Sequence, residues 1–344
     1  MVKMKAAVFE GIGQIGVKEV ARPEPGFGEA LIRVGYCGIC GSDVEALHTG
    51  LYEPGLVIGH EFAGTVAQVG PGVTDWQVAD RVVVNDAIPC GECGPCREGW
   101  VDGCEDLTMV GVTHDGGLAE YVKLPARGLH SLPQQVTLRQ GALVEPLAVS
   151  LHGVSRSRLR MGDQVLVMGA GPVGLLTLQS ALLAGARTVV VTEMDPTRAQ
   201  VARRLGAAAV LDPTRENVGV ALASFTDGRG PDVIYVCTGA AAPYRDAVSL
   251  VRRGGQIFIL GLCAESVEAD YLRVVLSELS IEGGLAGRAE FPAAIDFIVQ
   301  RRVDVDSLVT HEITLDEVVF GGFDLLDRPD SGALKILVRI GGES

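Results

Sequence analysis

The chain lacks any run of 18 uncharged apolar residues. Its longest apolar stretches, Val165–Ala170 and Leu175–Ala184, are broken by glycine or polar residues, which argues against a membrane span. Positive charge is also scarce. Lys and Arg total 29 against 43 Asp and Glu, a net charge of −14. That balance argues against nucleic acid as a partner and repels polyanionic substrates at long range, although a local basic pocket can override it. There is no G-x-x-x-x-G-K-[ST] turn for phosphoryl transfer, no internal repeat and no low-complexity tail. The opening residues Met1–Ala7 lack the apolar core of a secretory leader, so a cytoplasmic protein without structural disulfides is expected. At 344 residues the chain is long enough for two domains, and 47% hydrophobic content is enough for sizeable cores.

Cysteine is present in a telling pattern. Four of the eight cysteines, Cys90, Cys93, Cys96 and Cys104, follow C-x₂-C-x₂-C-x₇-C. Four thiolates at that spacing can close a tetrahedral cage around one Zn²⁺. The glycines and the proline between them suit its tight turns. Such a cage has no open position for substrate, so it implies stability rather than reaction. Metal binding to such a lobe is worth about 10–16 kcal/mol in apparent terms.

The grammar of the chain changes near residue 150. Before it, Ala30–Val34, Gly64–Val69 and Arg81–Val84 are short β-branched runs separated by Pro-Gly and Gly-Pro turns. After it, Val165–Met168, Thr188–Thr192, Val233–Cys237 and Gln256–Leu260 are continuous apolar strands, with helical segments such as Val173–Ala184 and Pro196–Leu205 between them. Buried strands alternating with helices predict an α/β doubly wound parallel sheet. A helix at Phe291–Gln300 and a strand at Ala333–Ile340 close the chain, and that strand can return to the first domain.

Gly169-Ala170-Gly171-Pro172-Val173-Gly174 fits G-x-G-x-x-G, directly after an apolar strand and at the start of a helix. Glycines there let backbone N–H groups approach a pyrophosphate at the helix N-terminus. Glu193 falls 24 residues after the first glycine, at the end of the next strand, where a carboxylate holds ribose hydroxyls and repels a 2′-phosphate. NAD is therefore expected over NADP, with Arg198 as the residue that tempers this. Asp195 reads better as the N-cap of the helix after Pro196.

Outside the cage, metal-capable residues are few: Cys40 in Cys40-Gly41-Ser42-Asp43, His60 and Glu61 after Gly59, and Glu145 in Val144-Glu145-Pro146. Thiolate, imidazole and carboxylate make a mixed donor set that leaves room for substrate. With these motifs, the cage, Gly116–Tyr121, Val144–Leu147, the glycine fingerprint, Thr238-Gly239 and Leu260-Gly261 in order, the chain resembles the zinc-containing medium-chain alcohol and polyol dehydrogenases over nearly its whole length.

The resemblance implies a chaperonin-10-like (GroES-like) β-rich catalytic domain over 1–148 and 286–344 and a Rossmann NAD-binding domain over 149–285. It implies two zinc ions per subunit. Cys40, His60 and Glu61 ligate the catalytic one, and Glu145 binds it directly or through a water. Cys90, Cys93, Cys96 and Cys104 hold the structural one. Asp43 orients His60. Gly169, Gly171, Pro172, Val173, Gly174, Glu193, Arg198, Thr238, Leu260, Gly261 and Leu285 form the cofactor site. Zinc lowers the pKa of bound water from 15.7 to about 7, which at 1.36 kcal/mol per unit is about 12 kcal/mol of anion stabilisation. A secondary alcohol oxygen gains similarly, and a hydride then passes to NAD to give the ketone. Ser42 is placed to take the alcohol proton. Relatives often carry histidine three residues later, where this chain has Glu45, so Glu45, His48 or water completes the relay.

The substrate wall is expected from Val44–Leu56, Met109–Gly117 and Gly284–Phe291. Val144–Leu147 is polyol-like, whereas Gly287-Arg288-x-x-Phe291 is similar to the threonine dehydrogenase branch. A polyol, cyclitol or vicinal diol is the first expectation and L-threonine the second. A non-catalytic nucleotide-sensing relative is the alternative from another class. The partners expected are a small-molecule alcohol or ketone and further copies of the chain, as a tetramer or a dimer, with no nucleic acid and no membrane.

Overall fold

The computed structural model describes residues 2–328 and 331–341. The chain divides into two compact units. One comprises Met1–Glu145, Phe291–Gln300 and Val309–Ser344, and the other Pro146–Glu290 with Arg301–Leu308.

The second unit is built on six parallel strands: Gln164–Met168, Thr188–Thr192, Ala209–Leu211, Val233–Val236, Gln256–Ile259 and Ser280–Gly283. Numbered along the chain within this unit, their spatial order is 3-2-1-4-5-6. That is the order in which dinucleotide-binding sheets reverse direction beside their first strand. Every residue of Gln164–Met168 is buried, as a central parallel strand covered on both faces requires. Leu166, Met168, Val190, Ile234, Val236 and Ile257 make the core.

The first unit is irregular and mainly antiparallel, with one parallel pair between Val309–Thr314 and Lys335–Arg339. A hairpin of Lys3–Gly11 and Gln14–Ala21 precedes a seven-stranded sheet. Along that sheet lie Val309–Thr314, Lys335–Arg339, Glu29–Gly38, Glu61–Val69, Arg81–Val84 and Leu129–Ser131, with Tyr121–Pro125 also paired to Glu29–Gly38. Ile32, Val34, Phe62, Val66, Val84, Ile336 and Val338 are buried beneath it. The last strand, Lys335–Arg339, does return to this sheet and pairs antiparallel with Glu29–Gly38. The early strands run longer than their β-branched centres: Gly38 and Gly64 pair across the sheet, and Gly35 lies at the register shift between Val34 and Tyr36. No helix of the described residues is long and apolar enough to cross a membrane.

Candidate metal and nucleotide sites

Cys40 is the N-cap of helix Gly41–Thr49, immediately after strand Glu29–Gly38 and Ile39. His60 immediately precedes, and Glu61 begins, strand Glu61–Val69, the neighbour of that strand. Two adjacent strand ends therefore bring three donors together. One ligand atom each from Cys40, His60 and Glu61 lie within 4.8 Å of one another. His60 and Glu61 are buried. Gly38 makes room, since a Cβ there would collide with Glu61 Oε2.

A polar shell fixes the cluster. The Asp43 carboxylate accepts from the Cys40 backbone N–H at 3.0 Å and from the Tyr52 hydroxyl at 3.1 Å. Asp43 Oδ1 also lies 3.6 Å from His60 Nδ1, close enough to pair charge but too long for a hydrogen bond. His60 Nδ1 is buried without a hydrogen-bond partner. A small ring movement would complete the carboxylate–imidazole contact that orients metal-binding histidines and leave Nε2 for a ligand. Asp43 is the third residue of the helix, and its carboxylate bonds back to the N–H of the N-cap, Cys40. Glu61 receives both of its partners' hydrogens from one lysine: Lys335 Nζ donates to Oε1 at 2.7 Å and to Oε2 at 2.6 Å.

Charge is dense here. Burial alone pushes the His60 imidazole down, but Asp43 and Cys40 outweigh it and hold the ring well above the usual histidine range. Burial pushes the Asp43 carboxyl up. Burial, and then Asp86, push Glu145 well above the usual carboxylate range. Lys335 is opposed by burial, yet Glu61 and Cys40 keep its ammonium above the ordinary value. A thiol, an imidazole and a carboxylate converging among buried acids fit a divalent cation. Glu145, in the first turn of helix Val144–Arg156, is buried but stands outside the three-donor group. Ser42 and Glu45 sit one turn apart on helix Gly41–Thr49, both half-buried. His48, in its last turn, pairs with Asp327 at 2.8 Å and is exposed.

The four lobe cysteines are half-buried, Cys93 capping the short helix Gly94–Arg97 that carries Cys96, and their sulfurs lie within 4.8 Å of one another. The Cys90–Cys96 and Cys93–Cys104 sulfur pairs are each 4.0 Å apart. A tetrahedron with Zn–S bonds of 2.3 Å has edges of about 3.8 Å, so the thiols are spaced for a metal cage. The Cys90 Sγ accepts from the backbone N–H groups of Glu92 and Cys93 at 3.5 and 3.3 Å, and Cys104 Sγ accepts from Cys90 N–H at 3.2 Å. Backbone donors at Glu105 and Cys96 pull the Cys93 thiol down to about 7.

In the second unit the glycine turn joins strand Gln164–Met168 to helix Pro172–Leu183. Its three glycines do different things. Gly169 has φ +99°, which L side chains rarely adopt, and a Cβ on Gly174 would collide with Gly169 O. A Cβ on Gly171 would meet nothing within 4 Å. Helix and strand are thus pulled together while open space remains beside the turn. Gly171 is the N-cap and provides no side-chain cap, and Pro172 has no N–H to leave unpaired, so the N–H groups of Val173 and Gly174 face an open helix start. Glu193 Oε2 accepts from Ala170 N–H at 2.8 Å, and Oε1 from Met194 and Asp195 N–H at 2.8 and 2.9 Å. This fixes the carboxylate against the turn. Arg198, half-buried, lies in the next helix, which Asp195 caps by accepting from Arg198 N–H at 2.8 Å. Thr238 stands over Gly169, and the Leu260 and Gly261 N–H groups both donate to Val236 O at 2.9 Å. Leu285 follows the sixth strand and is half exposed.

Sequence reasoning passed over Lys335, Tyr52 and Asp86, all buried. The one signal for Lys335 is a charge set directly against the apolar run Ile336–Val338.

Residues 26–134 match the alcohol dehydrogenase GroES-like domain and residues 172–300 the zinc-binding dehydrogenase domain. Sorbitol dehydrogenase of Bacillus subtilis (strain 168) is 32% identical over 91% of each chain. L-threonine 3-dehydrogenase of Sinorhizobium medicae (strain WSM419) is 34% identical over 96% of this chain and 98% of its own. The crystal structure of a zinc-binding dehydrogenase from Sinorhizobium meliloti 1021 bound to NADP superposes with a TM-score of 0.91, at 35% identity, covering 98% of this chain and all of that one.

Proposed function

This chain belongs to the zinc-containing medium-chain alcohol and polyol dehydrogenases, and from that premise we propose that it oxidises a secondary alcohol to a ketone with NAD. The polyols, cyclitols and vicinal diols are its substrate class. The observation that carries the reading is the convergence of half-buried Cys40 with buried His60 and Glu61 within 4.8 Å.

In this reading those three residues hold the catalytic zinc, with Glu145 joining directly or through a water, and Cys90, Cys93, Cys96 and Cys104 hold a second, structural zinc. When bound, zinc supplies Lewis acidity toward the substrate oxygen and the nicotinamide supplies the hydride acceptor. Asp43 keeps the His60 ring oriented, and Tyr52 and the Cys40 N–H keep Asp43 in place. Ser42 accepts the proton leaving the alcohol. Glu45, one turn along the same face, takes it onward, because His48 is already engaged by Asp327. The catalytic role falls to 1–148 with 286–344, and cofactor binding to 149–285. There the helix start at Pro172–Gly174 receives the pyrophosphate and Glu193 the ribose hydroxyls. Thr238, Leu260, Gly261 and Leu285 flank the nicotinamide side, and Arg198 the ribose side.

Glu193, held by three backbone donors, is the support for NAD. Glu193→Ser should raise relative use of NADP by about tenfold or more, by removing a charge that opposes the 2′-phosphate. Unchanged cofactor preference in steady-state kinetics would remove that support.

A homo-oligomer, tetramer or dimer, in the cytoplasm completes the reading. Strand Ser280–Gly283 ends its sheet, and helix Tyr271–Leu276, which precedes it in the chain, exposes Tyr271, Leu272, Val275 and Leu276. Sedimentation should return more than one copy.

The activity test is an NADH-absorbance screen over polyols, cyclitols, vicinal diols and L-threonine, repeated after mild chelation. A metal-dependent signal on a polyol or diol is expected. A signal confined to threonine would move the chain to that branch, whose Gly287-Arg288-x-x-Phe291 segment it shares. No turnover on any alcohol, together with retained NAD binding, would favour a nucleotide sensor.

A further inference from the structure

Lys335 is 1% exposed, and all three of its ammonium hydrogens are placed. Two go to the two oxygens of Glu61, at 2.7 and 2.6 Å, and one to Ile39 O at 3.0 Å. The lysine opens strand Lys335–Arg339, whose partner strand Glu29–Gly38 leads through Ile39 to Cys40. Ile39 N–H in turn donates to Ile336 O at 3.1 Å. The ammonium is thus locked to the chain on both sides of it and cannot swing out to water.

A carboxylate has about four lone-pair positions. One ammonium bridging both oxygens occupies two of them and neutralises most of the charge. Whatever Glu61 then offers a cation at Cys40 and His60 is a shared carboxylate, not a free one. Cation beside cation across one carboxylate weakens the hold on the metal, and leaves more of its positive charge for the remaining ligand position.

Resting on the reading that Cys40, His60 and Glu61 hold the metal, we propose that Lys335 is a positioning residue that competes with that metal for Glu61. It keeps the ion exchangeable and electrophilic by holding back the carboxylate's charge. A buried lysine kept only for packing would not need its charge there.

The test compares wild type with Lys335→Met, Lys335→Gln and Lys335→Arg, each purified metal-loaded and checked for folding by near-UV circular dichroism. Metal content is followed during incubation with a chelator. The phase missing in Cys40→Ser assigns the ion in question and separates it from the lobe's. Either neutral variant should release that ion at least tenfold more slowly. Its kcat should fall at least tenfold with KM within about threefold, and its cobalt-substituted difference spectrum against Cys40→Ser should shift. Lys335→Arg, which keeps the charge and two donors, should restore release to within about threefold of wild type. Release at the wild-type rate or faster from a folded neutral variant overturns the proposal, and so does failure of arginine to restore it. If wild type and Cys40→Ser lose metal in the same phases, the ligand reading itself falls, and the inference with it.

Discussion

Two metal-capable regions share the first unit and are built in opposite ways. The lobe takes all its donors from Cys90–Cys104, uses one residue type, and sits half-buried on a short helix and its flanking loops, held by backbone N–H···S contacts. The other takes its donors from Cys40, His60 and Glu61, of three types, and is buried against Asp43, Tyr52, Glu145 and Lys335. The pairing of Glu61 with Lys335 spans 274 residues. One region is closed by local chain geometry and has all four positions filled by thiols. The other exists only once the sheet has formed, and its unequal donors leave a position open. Local closure suits stabilisation, and assembly through the fold suits chemistry.

The sharpest way to break this contrast is to remove one thiol from each. Cys40→Ser should lower turnover by at least about 1000-fold, the loss of several kcal/mol of charge stabilisation. Its melting temperature should stay within a few degrees and NAD binding should be intact by NADH fluorescence. Cys93→Ser should do the reverse. It forfeits much of the apparent 10–16 kcal/mol that metal lends such a lobe, so the lobe should become protease-sensitive and the melting temperature should drop. Residual turnover per folded molecule should remain within about tenfold. Matching losses of activity and stability in both variants would erase the distinction.

Glu61 sharpens it further. Glu61→Ala should abolish turnover while NAD still binds, and it also strands the buried Lys335 ammonium. Breaking such a pair from one side costs about 3–5 kcal/mol. Chemical denaturation should therefore show a stability loss that Cys40→Ser does not. An intact rate in Glu61→Ala would mean that the metal is held by other residues. Gly38→Ala tests the same carboxylate more gently. The added methyl meets Glu61 Oε2, and overpacking of that kind costs about 1–3 kcal/mol. A fall in kcat of at least fivefold should accompany it. A variant with wild-type kcat and stability would show that Glu61 has room to move.

The contrast also explains what could be read before the fold was known. The cage and the glycine turn are local: their spacing alone carries the geometry, and the three glycines of the turn are found doing three separate jobs. The strand-helix alternation after residue 150 was legible because parallel strands are buried on both faces and so are continuously apolar. The shell of the buried site was not legible. Lys335 looks like any charged residue near a strand edge until register places it over Glu61. Tyr52 and Asp86 carry no spacing to anything. Lys335 takes its meaning from strand pairing across 274 residues and Tyr52 from a loop that folds back onto Asp43, and periodicity within one segment encodes neither. The first hairpin, Lys3–Gly11 with Gln14–Ala21, is a milder case: its second strand has a half-exposed, mixed pattern with little alternation to detect.

The smallest effect should come from Tyr52, and it tests whether the buried site is rigid by redundancy. Its hydroxyl is buried, and burial with Asp43 nearby raises its pKa, so it stays a donor across the working range. It gives Asp43 one of two hydrogen bonds, the other coming from the Cys40 N–H at 3.0 Å. Tyr52→Phe keeps the ring, and with it the edge contact to Phe9 at 6.1 Å. Only the hydroxyl is lost, and a hydrogen bond to a carboxylate that retains another donor is worth about 1 kcal/mol. The expected change is therefore about fivefold in kcat with KM unchanged, measured on the substrate that the screen identifies. A loss beyond about a hundredfold would mean that the hydroxyl takes part in proton transfer from Ser42, and that the relay runs through Tyr52 rather than Glu45.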